Sequence, residues 1–410
     1  MTALTLAEAE ALDAADPLRG FRDRFALPDG VIYLDGNSLG ALPRSTPARL
    51  HAVATGEWGE GLVRSWNAHD WIGAARRVGA KIAPFVGARP HEVVVADSTS
   101  ANLYKLLVAA LKARPERKTI LSEPGNFPTD LYMADGAAWT VGDVRVRTVP
   151  AADIVAAIDD DVAVVLLTHV HYKTGAMLDM ERITAAAQAK GALILWDLSH
   201  SVGAVPVDLN GCNADLAVGC GYKYLNGGPG APAFLYVAER HQASLRSPLS
   251  GWMGHAAPFE FGDDYAPAAD ISRFQCGTPS ILAMAALEEG IAQFDGVDRA
   301  ALFAKSRALG NACIALVETH CPDLALISPR DARRRGSHVS FRHPDAYAIC
   351  QALIDHGVIG DFRAPDALRL GFAPLYLGFA DLWRAVDIVR QVLATRSWDD
   401  PRYRARNAVT

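Results

Sequence analysis

Short apolar runs alternate with helically periodic segments through the middle of this chain. The runs at 92–96, 118–122, 161–168, 192–196 and 215–219 are rich in Val, Leu and Ile, the pattern of strands buried on both faces. Between them, 101–113 and the Ala-rich 179–190 carry helical spacing. This alternation marks βαβ units and predicts a mostly parallel sheet in an α/β domain. The run at 233–237 follows as a hairpin partner of 215–219. After Pro279 the pattern changes. Helices are predicted over 281–294, 299–319, 345–356 and 381–395, with strand-like segments at 337–342 and 367–371, an α+β arrangement. Residues 1–15 read as a short amphipathic helix. The segment up to about 54 is expected to pack with the C-terminal part, giving a large domain over 55–285 and a small one from 1–54 and 286–410.

At 410 residues the chain exceeds the ~250–300 at which a single core stops growing, so two or more domains are expected. Half hydrophobic and 21% charged, it is ordinary globular protein. A net charge of −6 offers nothing to nucleic acid or an anionic membrane. The apolar runs fall short of the ~20 residues of a membrane helix. The first fifteen residues carry Glu8, Glu10 and Asp13 but no basic residue, unlike a signal or transit peptide. Six cysteines without a CxxC pair point to reduced thiols and a cytoplasmic setting. His169-Val-His171 would turn two rings to one face of a strand. It has no neighbouring Cys or carboxylate cluster, so no metal is expected.

Ligands of open parallel sheets collect beyond the carboxyl ends of the strands, and several candidate groups stand there. Asp197-Leu-Ser-His200 follows the run at 192–196. An acid at that place is costly to desolvate unless a cation faces it. A protonated pyridine nitrogen is such a cation, and keeping it protonated makes the ring an electron sink. An isolated Asp here is more often an N-cap, but the context tips the reading. Gly221-Tyr222-Lys223-Tyr224 comes just past the next strand and leads into Asn226-Gly-Gly-Pro-Gly230. A lone lysine in such a loop is usually a solvated charge. Strand–Asp–x–x–His combined with strand–Tyr–Lys and a Gly-rich turn fits a lysine that bonds a carbonyl cofactor, its amine pKa lowered by burial and a neighbouring cation. Asp97-Ser-Thr-Ser100 lies between a strand and a helix, so Thr99 and Ser100 offer hydroxyls and free N–H groups to an anion. Plain N-capping explains Ser100 alone equally well. Thr278-Pro279 repeats the arrangement, with Thr278 as N-cap and Pro279 at the first helical position. Phe127 can stack on an aromatic ring or belong to the core.

Together these stretches resemble the fold-type-I pyridoxal-phosphate enzymes of the aminotransferase class V group, and within it the kynureninases. The likeness runs in order over nearly the whole chain. It is carried by Leu34-Asp-Gly-Asn-Ser-Leu-Gly40, Phe127-Pro-Thr-Asp130, Thr168-His-Val-His-Tyr-Lys-Thr-Gly175 and Trp196-Asp-Leu-Ser-His-Ser-Val-Gly203. It continues through Cys220-Gly-Tyr-Lys-Tyr-Leu-Asn-Gly227, Gly251-Trp-Met-Gly-His255 and Leu368-Arg-Leu-Gly-Phe-Ala-Pro-Leu-Tyr376.

The resemblance implies an α/β fold with a mostly parallel, seven-stranded type of sheet and helices on both faces, plus a smaller α+β domain. Its cofactor would be pyridoxal 5′-phosphate. Lys223 would carry the cofactor covalently and act as α-proton base; Asp197 would pair with the pyridine nitrogen, His200 nearby. Thr99, Ser100 and Tyr222 would contact the phosphate. Phe127, Pro128, Thr129 and Asp130 would frame the ring, and Thr168 would complete the pocket. Trp252 and Thr278 would reach across from a second subunit, which implies a homodimer. Arg369 matches the family's substrate-carboxylate arginine, whose planar fork suits bidentate binding. Asn37 and Ser38 lie in the substrate-side loop, and Trp58 is a candidate for the aryl pocket. Thr278 stands where the family often has Asn, which keeps a donor for phosphate but changes the aryl contact.

The implied reaction is hydrolysis of the Cβ–Cγ bond of L-kynurenine, or of its 3-hydroxy form, to the anthranilate and L-alanine. That would place the chain in tryptophan catabolism and pyridine nucleotide biosynthesis. A cysteine desulfurase of the same fold would place a His before the lysine and a reactive Cys on a mobile loop. Here Tyr222 holds the first position and Cys350 falls in a helical pattern, with Cys321 near one. A class V aminotransferase would run keto-acid-dependent half-reactions, and a non-catalytic relative would bind cofactor but release no anthranilate.

Overall fold

The structure is a computed structural model that describes residues 3–406. Its strands are β1 (Ile32–Tyr33), β2 (Val93–Val95), β3 (Thr119–Ser122), β4 (Arg145–Thr148), β5 (Val162–Thr168), β6 (Leu193–Asp197), β7 (Leu216–Gly219) and β8 (Phe234–Val237), followed by β9 (Ala325–Leu326), β10 (His338–Arg342), β11 (Val358–Ile359), β12 (Asp361–Arg363) and β13 (Ala367–Gly371). Seven form one sheet in the order β2-β8-β7-β6-β5-β3-β4. Only β8 runs against its neighbours β2 and β7; the other pairs are parallel.

Every residue of β5, β6 and β7 is buried, which is why those segments read as unbroken apolar runs. The helix Thr99–Lys112 lies against β5 to β8 and buries Leu103, Leu106, Leu107 and Ala110. Because β2, β3, β5, β6 and β7 share one direction, the loops after all five emerge along one edge. That edge is where the topology gathers Asp97–Ser100, Asn126–Asp130, Thr168, Asp197–His200 and Tyr222–Lys223.

The C-terminal part folds around the antiparallel sheet β12-β13-β10-β9. A second apolar cluster there joins Leu309, Val317, Phe341, Leu353, Leu370 and Val386. The helix Arg299–His320 has the length of a membrane span, but Leu309, Cys313 and Val317 are packed inside this cluster. The N-terminal segment is shared between the two cores. Helix Leu6–Ala15, closed by a Thr5–Glu8 capping box, packs on Phe379–Thr395. The expected helix thus begins at Leu6; Met1 and Thr2 lie outside the described residues. β1 pairs with β11, whereas Leu18, Phe25 and Ala41 join the sheet's core.

Helix starts and caps differ from the sequence reading: the last helix, expected from 381, begins at Phe379. The helix expected from 101 begins at Thr99 with Ser98 as its cap, Ser98 Oγ accepting from the Ala101 N–H at 3.2 Å. The helix after Thr278 begins only at Ile281, with Ser280 at the cap position. Thr278 and Pro279 are therefore loop residues. Their segment is drawn against 251–254, where the Met253 N–H donates to the Cys276 carbonyl at 3.2 Å.

Candidate active site

The loops at the sheet edge enclose a cavity of about 580 Å³. One wall is acidic. Asp197 ends β6 and is buried, with one oxygen accepting from the Ser199 N–H at 2.7 Å. Asp130, in the first turn of helix Pro128–Val141, is buried beside it. Thr168 Oγ1 lies 3.1 Å from Asp130 Oδ2 and 2.5 Å from Asn126 Oδ1. Burial pushes both carboxyl groups up, and the negative charge of Asp197 drives Asp130 well above the usual carboxylate range. Asp130 therefore holds a proton toward Asp197, and its Oδ1 has no partner among the described residues. The pair thus keeps one buried negative charge, on Asp197, which the charge of Lys223 offsets in part and which suits a further cation placed against it.

Lys223 stands in the loop beyond β7, buried, with Nζ 3.1 Å from His200 Nε2 and 5.7 Å from the Phe127 ring centre. His200 Nε2 is also 3.1 Å from the Asn37 carbonyl oxygen. Burial first, then the charge of Lys223, holds the imidazole well below its usual range, so it is neutral. The N-terminal segment closes over this loop. The Gly40 N–H donates to the Tyr222 carbonyl at 2.8 Å, and a Cβ at Gly40 would lie 2.4 Å from the Lys223 carbonyl oxygen. Burial raises the Tyr222 phenol above its ordinary pKa, which keeps it protonated.

The opposite end is built to receive an anion. Thr99 and Ser100 line the cavity at the start of an α-helix, where first-turn N–H groups have no intrahelical partner. Since Ser98 supplies the cap, the Thr99 and Ser100 hydroxyls are not needed for that role. Thr278 lines the same chain's cavity beside them.

Beyond His200 lies a cluster of charges. Arg369, on β13, is buried and faces Asp361 on β12. Its Nε donates to Asp361 Oδ1 at 2.8 Å and its Nη2 to Asp361 Oδ2. Nη2 also donates to Ser38 Oγ at 2.8 Å, and Nη1 to the Tyr172 carbonyl at 2.5 Å. Asn37 faces the same guanidinium, and with its amide turned so that the oxygen points there it accepts from Nε and Nη2 at 3.0 Å each. Arg363 shares Asp361 at 2.7 Å. The fork is thus filled on its Nε edge by Asp361, and its Nη1 and Nη2 end meets the Tyr172 carbonyl and the Ser38 hydroxyl, neutral groups that a carboxylate arriving there would have to displace.

Comparison with known proteins decides the family. The family model for the kynureninase C-terminal domain matches residues 302–389, and that of the DegT/DnrJ/EryC1/StrS aminotransferase family matches 69–215. The chain is 51% identical to a kynureninase of Burkholderia mallei (strain SAVP1), over 99% of this chain and all of the relative. It is 54% identical to a kynureninase of Deinococcus radiodurans, over 96% of this chain and 97% of the relative. The chain belongs to the kynureninase family. A solved structure, the apo cysteine desulfurase from Thermococcus onnurineus NA1, superposes with a TM-score of 0.77 over 96% of this chain and all of the desulfurase. At 19% identity it shows the shared fold-type-I architecture alone.

The cofactor of this kynureninase-family chain is pyridoxal 5′-phosphate, and the residues present fit it. The buried acid pair offers a place for a pyridinium, the helix start a place for a phosphate, and Lys223 lines the same cavity. Thr99, Ser100, Phe127, Thr129, Asp130, Thr168, Asp197, His200, Tyr222, Lys223 and Thr278 are all brought to one cavity. Pro128 opens the helix behind Phe127. Trp252 is not among the lining residues. It packs edge-to-face on Trp66 and Phe259, with ring centres 6.3 and 5.6 Å away. Trp58 lines a neighbouring apolar hollow with Trp71 and Leu282, joined to the cavity through Ser280. His169 and His171 have separate partners, Ser201 Oγ for the first and the Lys173 and Thr174 N–H groups for the second. Asp361, Arg363 and Lys105 were not found by sequence reasoning. The alternation Asp361-Phe-Arg363, with one apolar residue between two charges, was a usable signal for a half-buried strand.

Proposed function

We propose that this chain hydrolyses the Cβ–Cγ bond of L-kynurenine to anthranilate and L-alanine, a step of tryptophan catabolism. The observation that carries the reading is a buried lysine sharing one cavity with a buried acid pair and a helix start suited to an anion, in a chain half identical to kynureninases along its whole length.

When bound, pyridoxal phosphate supplies the electron sink for the bonds broken at the substrate. Lys223 would hold the cofactor through its amine, and that amine is placed to take the substrate's α-proton. Asp197 would pair with the pyridine nitrogen and keep it protonated, with Asp130 donating to Asp197. Thr99, Ser100 and Tyr222 would hold the phosphate, and Phe127, Pro128 and Thr129 would frame the ring. The α-carboxylate goes to the Nη1 and Nη2 end of Arg369, displacing the Ser38 hydroxyl and the Tyr172 carbonyl, while Asp361 and Asn37 fix the guanidinium plane. Water adds to the γ-carbonyl carbon, which leaves as the carboxyl group of anthranilate; Tyr222 gives a proton to the β-carbon and is restored by the proton the water releases, and the Lys223 amine returns the α-proton, which completes alanine. The aryl group lies toward the hollow of Trp58.

The same reading includes a cytoplasmic homodimer. Trp252 does not line its own chain's cavity, while Phe259, packed on it, and Phe261, packed on Phe259, are exposed. A second copy covering them would receive Trp252 at its site. The large domain is assigned to 55–285 and the small one to 1–54 with 286–410; two apolar clusters support two cores, although Leu18, Phe25, Ala41, Leu302 and Tyr376 of the small part pack into the larger one.

Purified protein given L-kynurenine should release fluorescent anthranilate and equimolar alanine. Replacing Lys223 with Ala should abolish the visible absorbance of the bound cofactor. Cofactor binding without anthranilate release would overturn the reading, and sulfide release from cysteine would replace it with a desulfurase. Turnover on 3-hydroxykynurenine in parallel decides the preferred ring.

A further inference from the structure

Lys105 is an ammonium with no solvent exposure, placed on the helix Thr99–Lys112 among Leu103, Leu106 and Leu107. Fully buried lysines are rare, and one persists only where specific partners hold its charge. Its Nζ donates to Asp97 Oδ2 at 2.7 Å and to the Phe274 carbonyl oxygen at 2.6 Å. Both partners belong to the anion end of the cavity. Asp97 lines it directly, and Phe274 immediately precedes Gln275–Ser280, all of which line it.

Asp97 is held there at a cost. Its φ is +46°, in the left-handed region that a residue with a Cβ rarely adopts, and its carbonyl accepts from the Ala233 N–H at 2.9 Å. Its carboxylate is a third exposed and stands beside Ser98, Thr99 and Ser100. An uncompensated carboxylate in that place would repel the phosphate dianion that the hydroxyls and helix N–H groups are set to bind. The ammonium faces Asp97 from the protein side, where it cancels the charge without occupying the cavity. The same group ties together the two chain segments that form the anion end.

We propose that Lys105 is a positioning residue for the cofactor's phosphate, neutralising Asp97 from behind and pinning the 97–100 loop to the segment after Phe274. The inference rests on Thr99 and Ser100 being the phosphate contacts. Lys105 touches neither cofactor nor substrate; it sets the charge that the phosphate meets.

The test compares the affinity of the apo-protein for pyridoxal phosphate with that for pyridoxal, which lacks the phosphate, by absorbance titration. Ser100→Ala should weaken pyridoxal phosphate and leave pyridoxal unchanged, which checks the site itself. Lys105→Met should weaken pyridoxal phosphate by about tenfold or more, the scale of one charge uncovered near another, again with pyridoxal unchanged. Asp97→Asn should bind pyridoxal phosphate at least as tightly as the parent, and the double variant should recover most of what Lys105→Met loses. Loss of both ligands alike in Lys105→Met would make the residue a plain structural support and overturn the inference. So would an unchanged Lys105→Met beside a responsive Ser100→Ala. If neither variant responds, the site reading falls and takes the inference with it. Should Lys105→Met not fold, a tenfold loss in Asp97→Asn overturns it equally.

Discussion

Tyr222 lies one residue from Lys223, whose Nζ stands 5.9 Å from its ring centre, and lines the same cavity, and burial keeps its phenol protonated. A positioned acid contributes ~10²–10⁴ to a rate. Tyr222→Phe is therefore expected to keep the cofactor absorbance while anthranilate release falls by about that factor; a rate within twofold of the parent would assign the proton elsewhere. Asp35 makes a second expectation. It lies 3.9 Å from Arg369 Nη2, and burial, reinforced by Asp361, lifts its pKa to about 7. A raised acid is neutral below that pH and charged above it. The added negative charge beside the carboxylate-binding end should raise KM for kynurenine as pH climbs from 6 to 8, and Asp35→Asn should flatten the rise. Single residues of this kind divide sharply in what the sequence reveals. Asp197 and Lys223 were legible because each follows an unmistakable buried strand. Asp361 and Lys105 were not, because their partners are eight residues away in each case, across a hairpin for one and around a helix start for the other. Neither spacing is visible until the backbone folds.

At the level of elements, burial pattern decides what can be read. The central strands are buried throughout and announced themselves. β4 is an edge strand of alternating Arg145-Val-Arg-Thr148, half exposed, and no apolar run marks it. Helix Pro128–Val141 turns small residues inward, Ala134, Ala137 and Ala138, and leaves Tyr132 and Trp139 outward, the reverse of the usual amphipathic stripe. Its hydrophobic periodicity therefore pointed nowhere, although it delivers Asp130 to the site. The start of helix Thr99–Lys112 carries its own expectation. Ser98 caps it, so Ser98→Ala should cost about 1 kcal/mol of stability, read as a lowered denaturation midpoint. Fraying there would also release Thr99 and Ser100, so affinity for pyridoxal phosphate should fall together with the midpoint. Ser98→Asp, which can still cap, should restore the midpoint; if it does not, the cap is not the reason.

The proposed homodimer would place one chain's Trp252 at the other chain's site. Phe261 is 77% exposed and Phe259 55%, beside Trp252, an aromatic surface that a second copy would remove from water. In a closed twofold dimer the same patch meets itself, so each chain gives its Trp252 to the other's cavity and receives one in return. Complementation tests this directly. Lys223→Ala should abolish turnover, and Trp252→Ala should reduce it strongly through weakened cofactor holding. When the two inactive proteins are mixed, partly unfolded and refolded together, half of the dimers should be hybrids. Each hybrid then has one site with Lys223 from one chain and Trp252 from the other, and a second site with neither. Roughly a quarter of the parent activity should return if chains reassort at random. If Trp252 serves its own chain instead, the hybrid's two sites lack one residue each and mixing restores nothing. The size of the recovered activity therefore reports which chain each residue belongs to, independently of any measurement of mass.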